Sequence, residues 1–227
     1  IMSYRFLNVS EKNLIYVGMA KETAHQLGTP ISSIMGWLDL LKNDSENRTE
    51  ALEQLEYETN HLKNISEKFN KIGSTPKLKK IILNEVLEDL IKYYKKRIPK
   101  SKKIKIKLSF PDNYAIKGDY ILLYWSFENL IKNSIESIKD DEGVIDISAF
   151  KQDDKIKIYV NDNGIGILPK DKRQIFKPGY STKSRGWGLG LSLTKRIIEN
   201  IHKGKIKLTN SSKHGTSLEI TFKSSCS

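Results

Sequence analysis

From Ala24 onward the apolar side chains Leu27, Ile31, Ile34, Leu38 and Leu41 recur at alternating steps of three and four residues. A seam with that spacing lies along one side of a long helix and has to be covered by other helices. The polar stretch KNDSENRT at 42–49 interrupts it, with Asn43, Asp44 and Ser45 as stop and cap candidates. A second helical stripe follows at Leu52, Leu55, Leu62, Ile65, Phe69 and Ile72, broken by the polar Thr59 and Ser66. The two segments read as a helical hairpin. Two helices alone bury such seams poorly, so a parallel homodimer forming a four-helix bundle is the economical solution. Residues 5–21 read as a helix entering from a missing N-terminal region, which makes the chain a fragment by expectation.

GSTP at 73–76 is the clear linker, placing one domain at 1–72 and a second at 77–223. Helical patterns at about 83–98, 119–139 and 188–203 are interspersed with strands of period two: Ile104, Ile106, Leu108, Phe110; Ile145, Ile147, Ala149; Ile156, Ile158, Val160; Ile206, Leu208; Leu218, Ile220, Phe222. The expected class is α+β, a hairpin followed by a two-layer sandwich with helices on one face of a mixed sheet. No apolar run approaches the roughly 20 residues needed to span a bilayer, and the start has no signal-peptide pattern, so no membrane contact by this segment is expected. One cysteine, Cys226, rules out an intrachain disulfide or a cysteine zinc site and suits a cytoplasmic protein. The net charge of +12 comes largely from lysines alternating with apolar residues, as in KIKIKLSF, the solvent faces of half-buried strands. A nucleic-acid partner is not expected from that pattern.

Several residues carry chemistry. His25 lies one position off the seam, accessible to a reagent. Pro30 removes one backbone hydrogen bond and is expected to kink the helix a turn later, at a cost of about 3 kcal/mol in an ordinary helix interior. Asn129 and Asn133 are four residues apart on one helix, so both amides project from one face, and neutral oxygens suit a magnesium ion that also holds phosphates. DNGIG at 162–166 ends a strand and contains glycines that permit a close turn against a ligand. The stretch 167–185 lacks a strong helix or strand pattern and carries Lys170, Lys172, Arg173, Lys177, Lys183 and Arg185, the composition of a lid over anionic groups. GWGLGL at 186–191 then opens the last helix.

Together these segments resemble the sensor histidine kinases of two-component signalling, in family order over about 200 residues. The phosphoacceptor pattern His, acidic residue, Leu, Arg, Thr, Pro is matched by His25, Gln26, Leu27, Gly28, Thr29 and Pro30. The resemblance implies that His25 accepts the γ-phosphate of ATP and that Thr29 assists hydrolysis of a phosphorylated partner. Gln26 replaces the usual carboxylate and cannot take a proton near neutral pH, so slower autophosphorylation or a substitute base is expected. Gly28 replaces the usual arginine. In the ATPase fold shared with Hsp90, MutL and type II topoisomerases, the resemblance makes Asn133 the Mg2+ ligand and puts Asn129 near the phosphates. Glu136 stands where the family often has a lysine or arginine, as it does in a subset of the family. Asp162 would accept from the adenine amino group, with Gly164, Gly166 and Ile167 beside the base. IFKPGYSTK resembles the family segment IFEPFFSTK, so Phe176 would anchor the lid and Ser181, Thr182 and Lys183 would lie near the phosphates. Gly186, Gly188, Leu189, Gly190, Leu191 and Thr216 complete the implied nucleotide pocket.

The implied activity is autophosphorylation of His25 from Mg-ATP, followed by transfer to an aspartate of a response regulator. Two other readings stand beside it. An ATP-hydrolysing clamp would need a glutamate at position 129, whereas Glu128 sits about 100° away around the helix. A non-catalytic, ATP-binding dimeric scaffold is suggested by Gln26.

Overall fold

The computed structural model describes residues 2–43, 48–73, 76–98, 102–140, 142–183 and 187–225. It divides into two compact units, Ile1–Thr75 and Pro76–Ser227. The expected cap residues Asp44 and Ser45, and Cys226, lie outside the described residues.

The first unit is a hairpin of α1 (Met2–Asn43) and α2 (Arg48–Gly73). α1 begins well before the heptad seam and continues through Pro30, so the proline does not end the helix. Downstream of it the Ser32 hydroxyl donates back to the carbonyl of Gly28 at 2.9 Å. The two helices bury Met19, Ala51 and Ile65 between them. The expected seam is only half covered: Leu27, Ile34 and Leu41 are partly buried, while Ile31 and Leu38 remain 46% and 43% exposed. On α2, Leu52 and Phe69 of the expected stripe are exposed as well.

The second unit begins with β1 (Lys79–Ile82), which runs directly into α3 (Leu83–Arg97), followed by β2 (Lys103–Ser109) and β3 (Ala115–Gly118). α4 (Tyr120–Ser137), β4 (Glu142–Gln152) and β5 (Lys155–Asp162) come next. α5 (Gly190–Lys195) passes into a π-helical turn (Arg196–Ile201), and β6 (Lys205–Ser212) and β7 (Gly215–Lys223) end the chain. Five strands form one mixed sheet in the order β2-β4-β5-β7-β6, with β2 and β4 parallel and every other pair antiparallel. β1 and β3 make a separate two-stranded ribbon that the sequence reading does not contain. Each has four residues, too few for alternation to register as a strand.

The alternation elsewhere does its expected work. Ile145, Ile147, Ile156, Ile158, Val160, Ile220 and Phe222 face a core shared with Leu83, Leu87 and Leu90 of α3 and with Phe127, Leu130 and Ile131 of α4. Among these are side chains with essentially no exposed surface, the condition for each to contribute about 1.5–3 kcal/mol. α4 is capped by Asp119, whose carboxylate accepts from the Leu122 amide at 3.2 Å. The Asp119 amide in turn donates to Nε2 of His202 at 3.0 Å, and Nδ1 of His202 lies 2.9 Å from the carbonyl of Ile197. His202 is therefore the neutral tautomer with its proton on Nδ1, pinning the end of the π-turn to the start of α4.

Burial holds the His202 pKa below its ordinary 6.5, partly offset by the Ile197 carbonyl and the Asp119 charge. The unfolded chain then binds the extra proton first. Stability of the second unit is full above pH about 6.5 and falls as pH drops below it toward the folded-state value. Urea unfolding across pH 5–8 checks this; His202→Gln should flatten the profile in that window.

Candidate functional site

Several candidate side chains of the second unit collect where the last turns of α4 meet the end of β5. Asp162 ends β5, opposite Thr216 of β7 in the sheet register. One carboxylate oxygen, Oδ1, accepts from the Ser137 hydroxyl at 3.2 Å and from the Gly164 amide at 2.9 Å. The other, Oδ2, accepts from the Ser134 hydroxyl at 3.0 Å. A carboxylate has about four acceptor positions, so one remains, on Oδ2. Ser134 and Ser137 are one helical turn apart on α4, each directly following a residue of interest, Asn133 and Glu136. Neither serine stands out in the sequence alone. Their signal is the i, i+3 spacing, legible only once Asp162 is known to lie against that turn.

DNGIG owes its shape to close approach. A β-carbon on Gly164 would lie 1.9 Å from the Ser137 hydroxyl. Gly166 has φ +71°, and a β-carbon there would meet the carbonyl oxygen of Ser212 at 1.8 Å. The next residue, Ile167, donates its amide to the Ser211 hydroxyl at 2.6 Å, so the segment is laced to the end of β6.

On α4, Asn129 and Asn133 have different partners. The Asn129 amide nitrogen faces α5, 3.5 Å from the Gly190 carbonyl and 3.4 Å from the Thr194 hydroxyl. Oδ1 of Asn133 instead accepts from Nζ of Lys183 at 3.1 Å, and the same ammonium is ion-paired with the Glu136 carboxylate. The segment carrying Lys183 has more internal order than its sequence pattern offers. Amides of Asp171, Gln174, Ile175 and Lys177 close consecutive turns, and Asp171 and Ile175 are buried. Phe176 packs on the core edge with the Lys195 ammonium 5.4 Å from its ring centroid. Lys172 donates to the Ser211 carbonyl at 2.8 Å. Ser181 receives the Lys183 amide at 3.0 Å, and Thr182 is exposed. The Gly179 amide donates to the Gly188 carbonyl at 3.1 Å, closing the segment onto the glycine turn. Leu189 and Thr216 are buried and Leu191 packs against the core; Gly186 lies outside the described residues. Among the described residues no three His, Cys, Asp or Glu side chains gather as a metal cage.

In the first unit His25 is exposed on α1, Gln26 and Leu27 are half-buried, Thr29 is exposed and Pro30 buried. A β-carbon on Gly28 would meet nothing within 4 Å, so the missing side chain is not required by packing within the chain.

Comparison with known proteins matches both units. The family model of the His Kinase A (phospho-acceptor) domain covers residues 18–74, and that of the histidine kinase-, DNA gyrase B- and HSP90-like ATPases covers 118–225. Sporulation kinase B of Bacillus subtilis (strain 168) is 30% identical over 218 residues, 93% of this chain and 50% of that protein. Sporulation kinase A of the same organism is 31% identical over 94% of this chain and 35% of its own length. The chain thus spans about half, or less, of the length of these relatives. The solved catalytic domain of the histidine kinase ThkA superposes with a TM-score of 0.59 at 27% identity, covering 65% of this chain and 96% of that domain. With a phosphoacceptor segment and an ATPase segment in one chain, the protein belongs to the sensor histidine kinases of two-component systems. Among its described residues no helix is long and apolar enough to cross a membrane.

The two glycines make opposite predictions. Gly166→Ala should cost about 3 kcal/mol, because it adds a clash to a left-handed backbone. Gly28→Ala should stabilise the hairpin by up to about 1 kcal/mol. Thermal unfolding of the two variants beside the native chain separates them.

Proposed function

We propose that this chain is the catalytic core of a protein histidine kinase: a dimerisation and phosphoacceptor domain at 1–72, and an ATP-binding domain at 77–223. His25 accepts the γ-phosphate of ATP and passes it to an aspartate on the receiver domain of a response regulator. The observation that carries the reading is the presence in one chain of an exposed, helix-borne His25 and of a second unit with a fixed carboxylate, Asp162, that has one acceptor position left.

Asp162 takes the adenine amino proton on Oδ2, while the two serine hydroxyls and the Gly164 amide hold the carboxylate aimed. Gly164, Gly166 and Ile167 wall the base. The glycine turn, with Gly186, Gly188, Leu189, Gly190 and Leu191, and the lid residues Phe176, Ser181, Thr182 and Lys183 flank the phosphates, and Thr216 backs Asp162. Asn129 ties α4 to the glycine turn. Asn133 is the magnesium ligand. That its amide oxygen already holds an ammonium supports a cation there. When bound, the ion neutralises phosphate charge during transfer. His25 attacks the γ-phosphorus in line, so that its nitrogen forms a bond to phosphorus as the bond to the bridging oxygen of ADP breaks. Catalysis is positioning and charge neutralisation. Thr29, one turn from His25, serves a phosphatase reaction on the regulator.

A homodimer is supported by the apolar residues the hairpin leaves open: Ile31, Met35 and Leu38 on α1 and Leu52 and Phe69 on α2. Catalysis belongs to the cytoplasm, where ATP and the regulator are found together. The clamp reading is disfavoured because Asn129, not a glutamate, faces α5. The scaffold reading rests on Gln26, which supplies no base beside His25.

Incubation with Mg2+ and γ-labelled ATP tests the proposal. Acid-labile, alkali-stable label is expected on the native chain and absent from His25→Ala. Gln26→Glu should raise the labelling rate, by about tenfold or more if the missing base limits it. No label on the native chain despite ATP binding would favour the scaffold.

A further inference from the structure

Lys183 marks a place where the chain holds a cation between two oxygen donors. Its ammonium lies 3.1 Å from Oδ1 of Asn133 and is ion-paired with the carboxylate of Glu136. The two acceptors are one turn apart on α4, a rigid helix whose opposite side is in the core, so their oxygens are presented together. An amide oxygen and a carboxylate side by side form a hard, oxygen-only donor pair, the ligand type a magnesium ion prefers when phosphates and water complete its shell. The pair is half-exposed, with side-chain exposures of 45% for Lys183 and 39% for Glu136, so the ammonium can be exchanged for another cation. A surface ion pair of that kind contributes little to stability, which leaves the arrangement without a structural purpose of its own.

We propose that Glu136 is the second cation-holding residue of the nucleotide site, sharing with Asn133 the divalent ion that accompanies ATP, and that Lys183 keeps the position until that ion arrives. The inference rests on the nucleotide reading above and extends it to a residue whose charge is opposite to the one commonly found there. A lysine or arginine at position 136 would neutralise phosphate directly. Glu136 instead adds negative charge beside the phosphates, which repels free nucleotide and favours the metal complex. Binding is thereby made dependent on the ion. The displaced Lys183 ammonium is released toward the phosphates, on the segment that closes over them.

The test measures affinity for the non-hydrolysable analogue AMPPNP by calorimetry, in Mg2+ and again in EDTA, for the full chain and its variants. The native chain should bind at least tenfold tighter with Mg2+. Glu136→Gln should reduce that ratio about fivefold, chiefly by strengthening metal-free binding and weakening the metal-bound form. Glu136→Asp should recover part of it, and Glu136→Lys should bring the ratio near unity. Circular dichroism melts confirm that each variant is folded. A ratio in Glu136→Gln within twofold of the native value overturns the inference while leaving ATP binding intact. A native chain that binds AMPPNP in neither condition overturns the nucleotide reading itself.

Discussion

The Asp162 carboxylate is the interaction on which the second unit's site depends. It lies at the end of a central strand and gathers two hydroxyls from the last turn of α4 and an amide from the glycine turn that follows it. Charge-assisted bonds of this kind are worth roughly twice neutral ones, and each becomes costly to lose when the group is partly buried. Through them the helix that carries Asn129, Asn133 and Glu136 is registered against the strand that carries Asp162. That one contact sets the distance between Asp162 and the amides of Asn129 and Asn133. The glycines of DNGIG follow from it. Gly164 has no room for a β-carbon against Ser137, and Gly166 turns the chain toward β6, where Ser211 and Ser212 receive it.

At the other end of α4 a second polar anchor, the chain from Ile197 through His202 to the Asp119 amide, ties the π-turn to the helix start. Between these anchors the helix packs on the core, while the side that meets Lys183 keeps half-exposed polar groups. The hairpin follows a different logic. Among the described residues it buries Met19, Pro30, Ala51 and Ile65, while apolar residues stay open along both helices.

Much of this was legible in the sequence because strong periodicities coincide with long elements. The heptad of α1, the lysine-isoleucine alternation of β2 and the helical pattern of α4 each extend over enough residues to fix the element type, although the α1 seam is only half covered. What escaped was short or non-local. β1 and β3 have four residues each and are recognisable only as a pair. The turns that bury Asp171 and Ile175 are made by backbone bonds with no periodic signature. Ser134 and Ser137 are ordinary helix residues until Asp162, 28 and 25 positions away, is laid against them. The grouping of Lys183 with Asn133 spans 50 positions and joins a loop to a helix, which no local pattern encodes.

The claim that Asp162, oriented by the two serines, selects the base is tested most directly by comparing ATP and GTP affinities of the native chain and of Asp162→Asn. Guanine presents a carbonyl oxygen where adenine presents an amino group, so the carboxylate should repel it. The native chain should prefer ATP by tenfold or more, and the amide variant, which can donate as well as accept, should bind both weakly and with little preference. Equal binding of ATP and GTP by the native chain, or a preference undiminished in Asp162→Asn, would contradict the account.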